Sequence, residues 1–348
     1  MGESNNIESN TMLISPGTLC AELPLPSDSE RFVARSRGEL FDILDDRDER
    51  LVVIAGPCSI HNVDSALRYA LKLKDLSDRV RDRILLLMRV YFEKPRTALG
   101  WKGLIYDPNL NGEYDIEKGI VVARKLLLEI TRLGLPVATE LLEPAAAPYL
   151  TDFVVWAGIG ARTTESPPHR QLASGLPMPV GFKNGTDGDI GTAIDAITAA
   201  NAPHSYIGVL RNGHTGIFRT RGNPYCHLVL RGGKEKTNFD SDTIVRAKEK
   251  LSQAHLCRKI LIDSSHGNSG KDPRRQHIVF EEALRQRLHG EKAIFGLMLE
   301  SFLKAGKQTL HENQTPDPEI SVTDACISFE ETEKLILRAH EKLVKYTD

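Results

Sequence analysis

Residues 51–90 read LVVIAGPCSIHNVDSALRYALKLKDLSDRVRDRILLLMRV. Two short apolar runs, LVVIAGPCS (51–59) and ILLLMRVYF (84–92), flank a stretch that reads as a helix over 64–79. A strand that is apolar without alternation is buried on both faces, as in a parallel sheet covered by helices. The same grammar recurs along the chain. PVATELL (136–142), FVVWAGIGAR (153–162), PVGFKNG (179–185), HLVLRGG (227–233), KILIDSSHG (259–267) and AIFGLMLES (293–301) are further strands, with helices expected over 115–133, 187–200 and 241–254. Eight such units over about 270 residues predict a (β/α)8 TIM barrel. A doubly wound open sheet is the runner-up, because periodicity alone does not prove closure.

Two decorations depart from the repeat. Residues 204–221, which begin HSYIGVLRNGH, hold two strand-like runs around RNGH and predict a hairpin inserted before the sixth barrel strand. Residues 1 to about 27 are polar and rich in Pro and Ser, and are expected to form an arm. Ser27 and Glu30 are spaced as a capping box ahead of a helix. The expected division is an N-terminal extension over 1–48 and a barrel unit with its hairpin over 49–348.

Composition narrows the class of function. Of the 348 residues 41% are hydrophobic and 26% charged, and the net charge is −2. That balance, with 6% aromatics, excludes a generic nucleic-acid binder, which carries a basic excess over a whole face. Five scattered cysteines without a C-x-x-C pair suggest reduced thiols rather than a disulfide framework. The start, MGESNNIESN, lacks a basic and an apolar signal region. No apolar run approaches the ~20 residues needed to span a bilayer. A soluble cytoplasmic protein is expected, with no nucleic-acid or membrane partner.

In a TIM barrel the active site lies at the C-terminal ends of the strands. The eight runs end at Cys58, Arg89 (with Lys94 and Arg96 following), Glu140, Arg162, Lys183, Arg231, His266 and Glu300. A polar, mostly ionisable residue at every strand end defines a common rim. The cations Arg89, Lys94, Arg96, Arg162, Lys183 and Arg231 suit phosphates and carboxylates. Cys58, His266 and Glu300 are candidate ligands for a divalent ion, with Asp324 of SVTDAC (321–326) a fourth if its loop folds back. Thiolate, imidazole and two carboxylates favour Mn, Fe, Co or Zn over Mg or Ca.

AGPCSIHN, EKPRTALGWKGLIYDPNLNGEYDIEKG, ATELL, GIGARTTES, PVGFKNGTDG, LRGGK, DSSHGNS and VTDAC occur in this order. Together they closely resemble the type I 3-deoxy-D-arabino-heptulosonate 7-phosphate (DAHP) synthases, in particular their metal-dependent, feedback-regulated microbial branch. The similarity runs from about residue 12 to about residue 345. It implies an aldol-type transferase that condenses phosphoenolpyruvate with erythrose 4-phosphate and water to DAHP and phosphate, the first step of the shikimate pathway. It further implies Cys58, His266, Glu300 and Asp324 as metal ligands. Arg89, Arg162, Lys183 and Arg231 would hold phosphoenolpyruvate with Glu140 nearby, and Lys94, Arg96 and Thr97 would take the aldose phosphate. Lys94, Glu140 and His266 are the implied catalytic groups. The two substrates carry roughly five negative charges, which a rim of six cations and a divalent ion can oppose.

The same resemblance implies a homodimer or homotetramer and an aromatic amino acid effector, bound where the arm and hairpin meet. The sequence departs from the family pattern at EPAAAP (143–148), TESPPHR (164–170) and Pro177. Two rival readings are a 3-deoxy-octulosonate 8-phosphate synthase, disfavoured by KPRT, and a non-catalytic metabolite sensor on the same fold.

Overall fold

A computed structural model describes residues 6–96, 99–311 and 314–347. Eight parallel strands form a closed barrel: β1 (Leu51–Gly56), β2 (Ile84–Arg89), β3 (Val137–Glu140), β4 (Val154–Ile159), β5 (Val180–Lys183), β8 (Cys226–Leu230), β9 (Ile260–Asp263) and β10 (Ile294–Glu300). Closure is made by β1 against β10, with Val52 opposite Gly296 and Gly56 opposite Glu300. The open-sheet alternative is thereby overturned. All eight runs picked out in the sequence are barrel strands.

The remaining strands, β6 (Ser205–Val209) and β7 (Thr215–Arg219), pair antiparallel outside the barrel, just before its sixth strand. This is the expected hairpin. Its turn closes through Leu210 and His214, with Gly213 in the left-handed region at φ 84°.

Helices α3 (Val63–Val80), α4 (Ile116–Arg132), α5 (Pro167–Ala173), α6 (Gly191–Asn201), α7 (Ser241–Gln253), α8 (Gln276–Leu288) and α9 (Phe329–Thr347) surround the sheet. Their starts are set locally. Asn62, Asp115 and Asp240 each accept the N–H three residues on, capping α3, α4 and α7. The outward residues of the strands, such as Leu51, Val53 and Leu86, pack with Tyr69, Leu73 and their neighbours in one large core.

A second core fills the barrel interior. Val52, Ile54, Leu85, Leu87, Ala138, Trp156, Val229, Leu261, Phe295 and Met298 form it, and Val33, Leu40, Ile43 and Leu44 of α2 (Ser27–Leu44) join it. Helix α2 thus closes the N-terminal mouth, and the site is confined to the opposite one. The Trp156 indole fits because position 181 is glycine: a Cβ there would lie 2.4 Å from Trp156 Cζ2. Register shifts at Val155 and Phe295 are bulges that turn these crowded strands.

Two expectations about the N-terminus are corrected. The polar arm contains a helix, α1 (Pro16–Glu22), because Ser15 caps it and Pro16 suits the first helical position. Ser27 is not a helix cap. Pro26 occupies that position with extended backbone, which makes Ser27 the first helical residue.

Candidate active site

Cys58, Glu300 and Asp324 offer ligand atoms that all lie within 4.8 Å of one another. Glu300 ends β10, and buried Gln276 fixes it by bonding both its N–H and its C=O at 2.9 Å. Cys58 follows β1 after Pro57. Asp324 arrives from far along the chain because the segment 314–328 returns to the end of β10, pinned by bridges from Ser301 to Ile327 and Gly306 to Cys326. The Asp324 N–H then lies 3.4 Å from Cys58 Sγ.

His266 stands beside this set rather than inside it, with Nε2 3.6 Å from Glu300 Oε1. Its Nδ1 lies 2.7 Å from Ser265 Oγ and 3.0 Å from Asp263 Oδ2. The Ser265 hydroxyl donates to the other Asp263 oxygen. With the Ser265 hydroxyl proton committed to Asp263, a proton on His266 Nδ1 is donated to Ser265 Oγ and leaves the Nε2 lone pair facing Glu300, the arrangement that orients metal-binding histidines. His266 holds a φ of 54°, a left-handed conformation rare for such a residue.

The donor chemistry fits a divalent ion. Burial and the Glu300 carboxylate push the Cys58 thiol up, so its thiolate needs a cation. Burial works against Asp324 as an anion, yet Lys94, His266 and Lys271 outweigh it and hold its carboxyl below the usual value. A buried thiol, two carboxylates and an oriented imidazole match the mixed set expected for a first-row metal.

Around the cluster the cations take distinct postures. Arg89 is fully buried, donates to Pro57 O, Cys58 O and Glu300 Oε1, and lies over the Tyr91 ring at 3.5 Å. Lys183 is buried with Nζ 3.2 Å from Asp263 Oδ2. Burial opposes the Lys183 charge, but Tyr91 and Asp263 more than offset it and its pKa rises. Arg231 donates to Gly232 O, and its backbone N–H to Asn184 Oδ1. Burial, and the like charge of Arg162, lower its pKa. Arg162 is exposed, and among the described residues neither arginine has a carboxylate within ion-pair distance. Two uncompensated guanidiniums on one rim have the charge and donors that suit an anion.

Lys94 is half-buried, 5.7 Å from the Tyr91 ring. Burial would lower its pKa, but the surrounding anionic groups, Cys58 and Glu300 foremost, raise it. Arg96 is exposed and donates to Trp101 O at 2.8 Å, closing its own loop. Thr97 lies outside the described residues. Lys102 faces Tyr106 and Tyr114, with Nζ 5.9 Å from each ring centre. Glu140 ends β3, buried, and its carboxylate occupies space that only glycine at 160 leaves, since a Cβ there would lie 2.4 Å from Oε1.

Three participants escaped the sequence reading: Tyr91, Asp263 and Ser265. The signal for Tyr91 was present, because Arg89, Tyr91 and Glu93 continue the strand's period of two and all are buried. Asp263 is an acid inside an apolar strand, ILID, and burial there demands a partner. Burial works against its charge, but His266 and Lys183 hold its carboxyl well below the usual range.

Comparison with known proteins gives this geometry its relatives. Residues 24–337 match the DAHP synthetase I family. The chain is 47% identical to the Tyr-sensitive phospho-2-dehydro-3-deoxyheptonate aldolase of Salmonella typhimurium over 341 residues, covering 97% of this chain and 95% of that one. It is 45% identical to the Trp-sensitive enzyme of Escherichia coli over 336 residues, with the same coverages. The solved phospho-2-dehydro-3-deoxyheptonate aldolase of Francisella tularensis superposes with a TM-score of 0.94 at 43% identity, over 97% of this chain and 99% of that one. By sequence and by fold, the chain belongs to the DAHP synthetase I family.

Proposed function

We propose that the rim condenses phosphoenolpyruvate with erythrose 4-phosphate and water to DAHP and phosphate, the first step of aromatic amino acid biosynthesis. The observation that carries the assignment is the pairing of a Cys58–Glu300–Asp324 cluster with uncompensated cations at one barrel mouth. Arg162 and Arg231 suit the phosphate of phosphoenolpyruvate by bidentate donation, with Lys183 and Arg89 beside them. Lys94, Arg96 and Thr97 are assigned to the aldose phosphate.

Carbon 3 of phosphoenolpyruvate attacks the sugar aldehyde, and Lys94, kept charged by its anionic surroundings, donates a proton to the aldehyde oxygen. Water adds at carbon 2 and gives up a proton to Glu140. The tetrahedral intermediate then expels phosphate, whose charge the fixed cations of the rim stabilise without reorganisation. Cys58, His266, Glu300 and Asp324 would hold a divalent Mn, Fe, Co or Zn ion, which when bound supplies Lewis-acid polarisation of an oxygen facing it. Asp263 and Ser265 keep His266 in the tautomer that this requires.

The deciding measurement is phosphoenolpyruvate consumption with erythrose 4-phosphate against arabinose 5-phosphate. Faster turnover of the tetrose phosphate is expected; preference for the pentose phosphate would transfer the chain to 3-deoxy-octulosonate 8-phosphate chemistry. Binding without turnover of either would favour a sensor.

Regulation by an aromatic amino acid is proposed for the region where arm and hairpin meet. There Gly17 N–H donates to Arg211 O, and Tyr149 Oη to Ile14 O. Relatives named Tyr-, Trp- and Phe-sensitive support the class of effector. Inhibition by at least one of Phe, Tyr and Trp is expected, and an unchanged rate with all three would remove the assignment. We further propose a regulatory and oligomer-forming extension over 1–48, a catalytic unit over 49–348 and a homodimer or homotetramer. Exposed Ile207 and Ile217, opposite one another on the hairpin, support self-association. No helix among the described residues is long and apolar enough to cross a membrane, and all five cysteines are free. The free cysteines support a cytoplasmic location.

A further inference from the structure

Glu93 is buried next to Lys94, yet among the described residues its carboxylate meets no cation. Its two oxygens instead accept the backbone N–H groups of Leu142 and Glu143, each at 3.2 Å. The other side of Leu142 is held as well: its carbonyl lies 2.6 Å from His169 Nε2. His169 Nδ1 in turn lies 2.7 Å from Ser166 Oγ, so the hydroxyl donates to Nδ1 while Nε2–H donates to Leu142. One peptide unit is therefore gripped from both sides.

The three segments joined in this way carry different parts of the rim. Glu93 precedes Lys94 and Arg96 in the loop after β2. Leu142 and Glu143 follow Glu140 in the loop after β3. His169 lies in α5, which follows Arg162 after β4. Backbone bonds from Lys94 N–H to Lys102 O and from Ile105 N–H to Phe92 O close the base of the first loop, so movement at Glu93 moves Lys94 and Arg96 with it.

We propose that Glu93 and His169 are positioning residues that clamp the Leu142 peptide and thereby set the loop bearing Lys94 and Arg96 for the aldose phosphate. The proposal rests on the assignment of that loop to the sugar substrate. A buried carboxylate without a counter-ion is a poor stabilising device, which argues for a positional rather than a structural role. Burial first, with Glu143 and Glu140 adding to it, pushes the Glu93 carboxyl up to about 8. The other charged or titratable groups around the clamp are Tyr106, Lys94 and His169. Only the ionised carboxylate offers acceptors to both N–H groups without a proton of its own in the way. The clamp therefore tightens as pH rises through about 8.

The test compares wild type with Glu93→Gln, His169→Ala and His169→Gln. Steady-state constants for both substrates, melting temperature and amide hydrogen exchange are measured for each. Glu93→Gln places an amide donor against a backbone donor, and the KM for erythrose 4-phosphate is expected to rise about tenfold, the change that one net hydrogen bond is worth. The KM for phosphoenolpyruvate should stay within about twofold, and above about pH 8, where Glu93 is ionised, the melting temperature should hold or rise because a buried charge is gone. His169→Ala should act in the same direction, and His169→Gln, which keeps a donor near the Nε2 position, should recover most of the loss. In wild type the KM for erythrose 4-phosphate should fall as pH rises through about 8, and in Glu93→Gln that dependence should vanish.

Unchanged KM values in a folded Glu93→Gln protein would overturn the proposal. So would KM values for both substrates that rise together with a falling melting temperature. Hydrogen exchange separates this proposal from the functional assignment, since it needs no substrate. In either variant that breaks the clamp, Leu142, Glu143 and the segment 99–103 should exchange faster; unaltered exchange there would reject the clamp even in an active enzyme. If Glu93→Gln does not fold, the two His169 variants carry the same readouts.

Discussion

Arg89 Nη2 lies 3.0 Å from Glu300 Oε1, and both side chains are buried. This pair joins a cation assigned to phosphoenolpyruvate to a carboxylate assigned to the metal, so neither half of the site is electrostatically independent. Removing one member leaves the other charged without its partner, which costs about 3–5 kcal/mol. Arg89→Met and Glu300→Gln should each be destabilised on that scale in urea titrations, and the double variant by less than the sum. Additive losses would show that the pair does not interact.

Removal of the metal should abolish turnover. Chelation followed by gel filtration is expected to give an inactive protein that Mn or Co restores. Cys58→Ser and His266→Ala should weaken metal affinity, read by titration with the ion alone. Ser265→Ala, which frees the His266 ring, should weaken it by about 10-fold or more. Full activity after chelation would refute the metal assignment.

Gly160→Ala tests the space held open for Glu140. The added Cβ would lie 2.4 Å from Glu140 Oε1, so the carboxylate must move. Displacement of a reacting group by about 1 Å can cost about 100-fold in rate. The expected result is a kcat lower by about 10- to 100-fold in a protein with unaltered circular dichroism. A kcat within twofold of wild type would remove Glu140 from the chemistry.

Inside the barrel, His227 is fully buried, with Nε2 accepting from Trp156 Nε1–H at 3.0 Å and Nδ1 3.1 Å from Tyr225 O. Burial lowers its pKa to about 4 from the usual 6.5. A depressed pKa means that the unfolded chain takes up the proton first. The stabilisation is therefore complete above about pH 6.5 and is lost as pH falls toward about 4, amounting to about 3 kcal/mol. His227→Phe should flatten that part of the stability profile. At neutral pH it should cost about 1–3 kcal/mol, because the Trp156 N–H is left without an acceptor. Denaturant titrations at several pH values measure both effects.

The sequence by itself determined the eight strands, the inserted hairpin and the rim residues, of which Arg89, Glu140, Lys183 and Glu300 end strands while Cys58, Arg162, Arg231 and His266 lie one to three residues beyond, in the loops. Each of these rests on local physics: continuous apolar runs specify strands buried on both faces, and a barrel brings their C-terminal ends to one rim. Only the tertiary structure decided closure of β1 on β10, the plugging of the far mouth by α2 and the return of Asp324 to Cys58, a contact across 266 residues. It alone gave Tyr91 and Asp263 their neighbours, and it showed that Glu93, which had no evident role in the chain, binds Leu142 and Glu143 of another loop. Loop contacts of this kind carry no periodic signal. They depend on which segments the closed barrel sets side by side, and on the need of every buried polar group to find a partner there.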